Sequence, residues 1–310
     1  LLCCAFDGFI GTWYIFWRVL SGICGGLLMI LAPTVVAQCA DASKRLKINF
    51  VGFSGVGIGV LAATLFLPYL DRISITQAWL ILFSFAVLFT VFIAKLIYPF
   101  HQQLDHNTQT QAPNTRPDGF YKTLILVYAC SAFAYIPHSL FWIDYLTQSL
   151  GLSLFWINFN WILYGIGSAF GAFTAYLFAV KFGNLKALKL LYSFYVAAIL
   201  FALMPSFPLL TFLSSLLTGL LNPAVVFLTS YTILQHYGLA YKKLWGMATM
   251  TFALVQLIGG LSFSTLQSFN VAYPQQFILA AAVLLSGTLY FMFYVRRYEL
   301  DFKKEVTPQT

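Results

Sequence analysis

Three ionisable side chains stand inside apolar stretches of this chain: Arg18, His138 and Asp144. An ionisable group surrounded by lipid is costly, and it normally faces a cavity or a partner. Arg18 is the single charged residue between Gly11 and Val36, about 9 Å along a helix that begins near residue 12. Its charge predicts either a cavity-facing role in handling substrate or protons, or an anchor whose stem snorkels to the interface.

His138 and Asp144 lie on another predicted helix, which also contains Pro137. A histidine titrates near neutral pH, so His138 is either a proton relay or a hydrogen-bonded packing residue. Asp144 belongs either to a pathway or to the membrane boundary. Their separation of six positions corresponds to a rotation of about 240° beyond one full turn. We therefore predict no pairing between the two side chains.

Four amides complete the candidate pathway residues, and they lie on three further apolar stretches: Asn158, Asn160, Asn222 and Gln256. Each can hydrogen-bond a solute, and each can equally tie neighbouring helices together. Asn222 and Gln256 are near the middle of their stretches, the depth at which membrane-embedded solute sites usually lie.

The composition shows what must position these residues. Of the 310 residues, 60% are hydrophobic and 8% are charged, whereas a soluble domain carries about 25% charged residues. Lipid can cover this much apolar surface and water cannot. The sequence therefore predicts an all-α integral membrane protein whose partner is the lipid bilayer.

A helix needs about 20 apolar residues to cross a hydrocarbon core roughly 30 Å thick. With that window the sequence predicts nine membrane-spanning helices. They cover residues 12–37, 48–70, 78–99, 120–147, 155–180, 185–205, 208–234, 245–268 and 274–295. The stretches do not alternate in polarity, which excludes the strands of a β-barrel.

The basic residues predict the orientation of these helices. Fifteen of the 17 lysines and arginines lie on alternate connections and in the C-terminal tail. Cytoplasmic loops carry an excess of Lys and Arg, so these connections and the C-terminus are expected to be cytoplasmic. The sequence therefore predicts a multi-pass protein of the cell (inner) membrane.

The polar residues 101–119 are poor in apolar side chains and separate three predicted spans from six. Residues 1–6 are apolar but too short to cross a membrane, and we interpret them as the end of a preceding helix. The expected organisation is therefore nine of twelve helices. Residues 1–100 form the remainder of an N-terminal bundle, 101–119 a cytoplasmic linker, 120–295 a C-terminal six-helix bundle and 296–310 a cytoplasmic tail.

Two six-helix bundles joined by a cytoplasmic linker resemble the major facilitator superfamily (MFS), and "YLFAVKFGNLKAL" resembles its cytoplasmic turn. Lys181 and Gly183 match the basic residue and the glycine of that motif, and Lys186 adds a further basic residue. Val180 replaces the usual Asp. The role implied for these residues is structural, because glycine allows a tight reversal.

"FWRVLSGICGG" resembles the superfamily's helix 4, with Arg18 and Gly22 in the matching positions. The resemblance associates this arginine with proton coupling. "GFSGVGIGVLAA" is similar to a glycine-rich helix 5 but lacks its proline, and helix packing through small residues explains its glycines equally well. "MTFALVQLIGGLSF" resembles the YbfB/YjiJ-type bacterial branch.

The resemblance implies a secondary active transporter that moves a small organic solute by alternating access, coupled to protons. The chain contains no GxxxxGK[ST] motif for nucleotide phosphates and no CxxC or other metal-ligand spacing, so we expect no cofactor and no metal. We expect no nucleic-acid partner and a monomer. The alternatives are a non-transporting receptor or scaffold and an intramembrane enzyme; the latter lacks HExxH and GxSxG motifs.

Overall fold

Nine long α-helices make up most of the protein in a computed structural model that describes residues 1–6, 11–39, 44–70, 73–97 and 116–306. They are α1 (Thr12–Cys39), α2 (Arg45–Leu70), α3 (Ile75–Ile97), α4 (Gly119–Leu140), α5 (Leu154–Phe182), α6 (Asn184–Phe201), α7 (Pro208–Tyr237), α8 (Tyr241–Ser268) and α9 (Tyr273–Val306). No strand occurs among these residues. The predicted all-α class is confirmed.

Eight segments of the described chain are long and apolar enough to cross a membrane. One of them, Pro208–Ser268, is 61 residues long and contains both α7 and α8, joined by the 3₁₀ turn Gly238–Ala240. Lipid offers no hydrogen-bond partners, so each crossing must pair its backbone groups internally, as a helix does. The nine long helices correspond to the nine spans that the sequence predicts.

The end of α4 differs from the prediction of a helix over 120–147. It stops at Leu140, where Phe141 leaves the helical region with φ −115° and ψ 2°. Pro137 has no N–H to donate to the preceding turn, which weakens the helix at this point. A three-residue helix and a π-helical turn, Tyr145–Ser149, follow. Asp144 therefore lies within the predicted span but beyond the end of α4.

Two other helices also depart from their predicted ends. α6 ends at Phe201, before the predicted 205, because Pro205 disfavours helical conformation in the residue before it. α9 continues to Val306 rather than 295. The predicted linker 101–119 lies outside the described residues as far as 115, and the organisation into domains stays a prediction.

The helices α4 to α9 pack on one another around a buried core. The closest pair is α5 and α7, whose backbones meet at glycines. A Cβ atom at Gly219 would lie 2.1 Å from the carbonyl oxygen of Tyr164, and one at Gly167 would lie 2.0 Å from that of Leu216. Only glycine permits this approach, which lets two backbones pack without intervening side chains.

The helices α1 and α2 attach to this six-helix unit from one side. α2 packs along α5, and α1 touches α8. We call the end of the molecule that holds Lys181, Lys186, Lys242 and Lys243 the basic end, and the other the opposite end. α1 runs from the opposite end to the basic end, and α8 runs the other way.

Candidate substrate pathway

The two sides of the molecule are in contact near the basic end. The indole N–H of Trp245 on α8 donates to the carbonyl oxygen of Met29 on α1 at 3.0 Å. One residue further, Ile30 lies 3.8 Å from the position of a Cβ on Gly246. The ring of Phe53 on α2 lies 6.0 Å from Trp245. These contacts close the space between the two sides at this end.

Helices α2 and α5 meet over a longer distance through small residues. A Cβ at Gly57 would lie 2.0 Å from the carbonyl oxygen of Ser168, and one at Gly165 would lie 1.9 Å from the hydroxyl of Thr64. The packing interpretation of the glycine-rich stretch is therefore correct for Gly57. Gly52, Gly55 and Gly59 have no atom within 4 Å of such a Cβ, so packing does not explain them here.

The contact between Met29 and Trp245 fixes which residues of α1 and α8 face each other. Arg18 precedes Met29 by eleven residues, and Gln256 follows Trp245 by eleven. Eleven residues make three turns plus about 20°, a distance of about 16 Å. Because the two helices are antiparallel, ideal helix geometry predicts Arg18 and Gln256 at the same level, on the sides of α1 and α8 that carry Met29 and Trp245. We call the space between these sides, beyond the closed end, the cleft.

Arg18 is exposed, and its guanidinium carbon lies 5.1 Å from the ring centre of Trp79 on α3. Tyr14, one turn earlier, also contacts Trp79 with ring centres 6.1 Å apart. A guanidinium over an indole face is held by cation–π attraction. Arg18 thus rests against an aromatic ring that is half-buried itself.

We assign to the other side of the cleft a group of hydroxyl and aromatic side chains on α4 and α5. Tyr164 donates its hydroxyl hydrogen to the hydroxyl oxygen of Tyr135 at 2.9 Å. Trp161 stacks on Tyr164 with ring centres 5.3 Å apart and planes 7° apart. Both Tyr135 and Trp161 are half-buried. Phe133 and Ile136, the neighbours of Tyr135, pack on α8 at Gly259, which places Tyr135 about one turn beyond the level of Gln256.

Asn222 and Gln256 are half-buried near the middle of α7 and α8. The side-chain carbonyl oxygen of Asn222 is buried and accepts no hydrogen bond within the part of the chain that the structure describes. A buried polar group without a partner costs free energy. Among the described residues, Asn222 therefore keeps an unused acceptor near the middle of α7, and its role in a pathway stays a prediction.

His138 lies behind this wall, in the core of the six-helix unit. Its Nε2 is 2.8 Å from the hydroxyl of Ser214, and that hydroxyl donates to the carbonyl oxygen of Ala198 at 2.7 Å. Since the hydroxyl hydrogen is used there, Nε2 must carry a hydrogen and donate it. The ring also stacks on Trp142 at 4.6 Å and is fully buried. These contacts favour the packing role for His138 over the proton relay.

Asn160 takes part in a second chain of hydrogen bonds in the same layer of the core. The indole of Trp142 donates to Ser215 at 3.0 Å, and Ser215 donates to the side-chain carbonyl of Asn160 at 2.7 Å. The amide of Asn160 donates to the carbonyl oxygen of Trp156 at 2.9 Å. Asn160 therefore ties α5 to α7 and to the segment after α4.

Asp144 and Asn158 lie closer to the opposite end than Tyr135 and Trp161. Asp144 is exposed in the short helix after α4. It does not meet the buried His138, as the rotation between them predicts. Asn158 is half-buried one turn into α5, at the opposite end.

The turn between α5 and α6 has the form that its sequence predicts. Gly183 adopts φ +78° between the two helices, a conformation that glycine reaches without strain. Lys181 lies over the ring of Phe182 at 5.3 Å, and both Lys181 and Lys186 line the basic end.

Sequence reasoning missed Tyr135, Trp161, Tyr164 and the serine pair Ser214–Ser215. A signal was present, because Asn160, Tyr164 and Ser168 recur every four residues on α5, which places polar groups on one helix face. The same spacing relates Ser214, Thr218 and Asn222 on α7. A stripe of polar residues on an otherwise apolar helix predicts a buried polar contact.

The family model described as "Uncharacterised MFS-type transporter YbfB" matches residues 1–291. Among solved structures, the chain is similar to the one titled "Crystal structure of a bacterial homologue of iron transporter ferroportin in outward-facing state". That likeness has a TM-score of 0.68 at 16% identity and covers 92% of this chain and 73% of the other, so it shows the fold. No curated protein matches the sequence. The chain belongs to the YbfB-type family of MFS transporters, as its helix motifs predict.

Proposed function

We propose that this transporter moves a small organic solute by alternating access, with the cleft between α1 and α8 as its binding site. The observation that carries the proposal is the hydrogen bond between Trp245 and Met29. Ideal helix geometry continued from that contact predicts Arg18 and Gln256 at one level, about 16 Å beyond the closed end. Asn222 and Tyr135 add polar groups from α7 and α4. Polar groups gathered from several helices within an apolar membrane domain are typical of a solute site.

The contacts between the two sides support alternating access. The closure at the basic end depends on a few side chains, among them Trp245 and Phe53. The α2–α5 packing is longer and built on glycines, so it can act as the pivot while the closure opens. Motion of one bundle against the other around a fixed site is how such transporters work.

Proton coupling is the energy source that we propose. The sequence contains no nucleotide-phosphate motif, and an ion gradient then supplies the free energy. The matched solved structure is titled an iron transporter homologue. Within the described residues no three His, Cys, Asp or Glu side chains gather into a metal site, and we therefore propose an organic solute for this chain.

The basic end is proposed to face the cytoplasm, because it carries the lysines of three connections. The C-terminus then lies in the cytoplasm of a cell whose inner membrane holds the protein. In this orientation the structure has the cytoplasmic side closed. We further propose that the transporter works as a monomer.

A reversible cross-link tests alternating access. Ile30→Cys and Gly246→Cys, introduced together on a background without the five native cysteines, place two thiols across the closure. Proteoliposomes are incubated with a cell metabolite extract, and mass spectrometry identifies the solutes that enter, with and without a proton gradient. We expect oxidation to abolish the flux and a reductant to restore it.

Each single-cysteine variant is the matched control and should be insensitive to oxidation. Flux that continues through the cross-linked protein would contradict alternating access at this closure. Equal flux with and without the proton gradient would contradict proton coupling. If the uncross-linked protein moves no solute under any gradient, the receptor or scaffold alternative is favoured.

A further inference from the structure

The charge balance of the cleft indicates which class of solute it takes, if the proposed function holds. Among the residues assigned to the cleft, Arg18 alone is charged, and the others, Tyr135, Trp161, Asn222 and Gln256, are neutral. A cationic solute would be repelled by the guanidinium, which keeps its charge at any physiological pH.

No described acidic side chain offsets this charge. The acidic residues with described side chains are Asp118 and Asp144. Asp118 caps α4 at the basic end, where its carboxylate accepts from the backbone N–H of Tyr121 at 2.8 Å and from the hydroxyl of Tyr237. Asp144 is exposed beyond α4. Neither lies on α1, which carries Arg18, or on α3, whose Trp79 contacts it.

Closing the opposite end would change the surroundings of Arg18. It is exposed in the present conformation, with one side of the guanidinium over Trp79. Closure brings α1 and α8 together at the level of Arg18 and Gln256 and removes water from the guanidinium. Taking a charge out of water without an opposite charge costs several kcal/mol. A neutral solute leaves that cost in place, whereas an anion removes it.

We propose that the solute is an organic anion with a carboxylate group, bound by Arg18 on α1 and by the amide of Gln256 on α8. A planar guanidinium matches a carboxylate with two parallel hydrogen bonds. The organic part of the solute then meets Tyr135 and Trp161 across the cleft. Binding of the anion neutralises Arg18 and so permits the opposite end to close, which makes transport depend on the solute.

The first experiment measures binding separately from transport. Thermal unfolding of the purified protein in detergent is followed with acetate, hexanoate, benzoate and phenylacetate, and with the primary amide of each, at equal ionic strength. We expect at least one carboxylate to raise the midpoint by several degrees while its amide does not. If no carboxylate does so, or if the amides act equally, the proposal is wrong.

Variants of the two residues locate the effect. Arg18→Gln should weaken binding of the effective carboxylate about ten- to hundredfold, the equivalent of a lost charge-assisted hydrogen bond. Arg18→Lys should retain part of the affinity, and Gln256→Leu should lose a smaller part. Arg116→Gln, which removes an exposed arginine at the other end of the molecule, is the matched control and should bind normally. Equal binding by wild type and Arg18→Gln would overturn the proposal.

Flux distinguishes this inference from the proposed function. Transport of uncharged or cationic solutes, equal in wild type and Arg18→Gln, overturns the anion proposal and leaves the transporter intact. Arg18-dependent binding of a carboxylate without flux of any solute supports the site and contradicts alternating access.

Discussion

At the scale of single residues, His138 shows how burial restricts what an ionisable side chain can do. Its Nε2 hydrogen is donated to Ser214, its ring lies between Trp142 and Phe277, and none of its surface is exposed. Its Nδ1 is buried and has no partner among the described residues. Protonation there would place a charge in an apolar core without an acidic partner nearby, which is costly.

Two variants of His138 distinguish a packing role of this side chain from a role in proton transfer. In His138→Gln the amide can donate to Ser214 but does not titrate, so we expect near-normal stability and unchanged dependence of flux on the proton gradient. His138→Leu loses the hydrogen bond and should lower the free energy of unfolding by about 1 kcal/mol. Denaturation in detergent measures the stability and proteoliposome flux measures the coupling.

A well-folded His138→Gln protein whose flux no longer responds to the gradient would contradict the packing role. The imidazole would then have to carry the coupled proton.

At the scale of helices, small residues decide which pairs approach closely. Lipid is as apolar as leucine, so helices in a membrane associate through close packing and interhelical hydrogen bonds. Gly57 and Gly165 provide that packing between α2 and α5, and Gly167 and Gly219 between α5 and α7. α5 is therefore held on two sides, which makes it the helix that joins α2 to the six-helix unit.

Two glycines of α2 that differ in burial test this packing. Gly57→Ala forces a Cβ toward the backbone of Ser168, whereas Gly55→Ala meets no atom within 4 Å. Overpacking typically costs about 1–3 kcal/mol. We expect a loss of that size for Gly57→Ala and a change within about 0.5 kcal/mol for Gly55→Ala at an open position. Thermal unfolding of the two variants in the same detergent makes the comparison, and equal stability would show that α2 and α5 are not in contact there.

At the scale of the whole molecule, the distribution of charge predicts which end faces which compartment. The described lysines at the basic end belong to connections that alternate with nearly uncharged ones, and the sequence continues the pattern in its remaining loops. The positive-inside rule then predicts one orientation for all helices together, because antiparallel neighbours cannot be inverted one by one.

Single cysteines test this orientation. We expect Ser74→Cys, on a background without native cysteines, to react in intact cells with a maleimide that cannot cross membranes. Ser43→Cys and Thr108→Cys should react only after the cells are opened. Labelling of Thr108→Cys from outside would invert the topology and with it the assignment of the closed side.

The sequence by itself determined the helical class, the approximate position of each span and the family. These depend on local properties: about 20 consecutive apolar residues suffice for a crossing, and the lipid then requires a helix. Gly183 was predictable for the same reason, since a tight turn needs its conformation whatever packs around it. Even the break after Pro137 follows from a missing N–H, although its place at Leu140 does not.

Only the tertiary structure decided which face of each helix meets the cleft. A membrane helix is apolar all round, and lipid and protein interior are equally apolar, so the pattern of hydrophobic residues does not tell buried from lipid-facing sides. Arg18 and Gln256 are 238 positions apart, and only the contact of Met29 with Trp245 predicts that they lie at one level. For His138 and Asn160 the same packing had the opposite result, because their partners on α6 and α7 hold them in the core, away from the pathway.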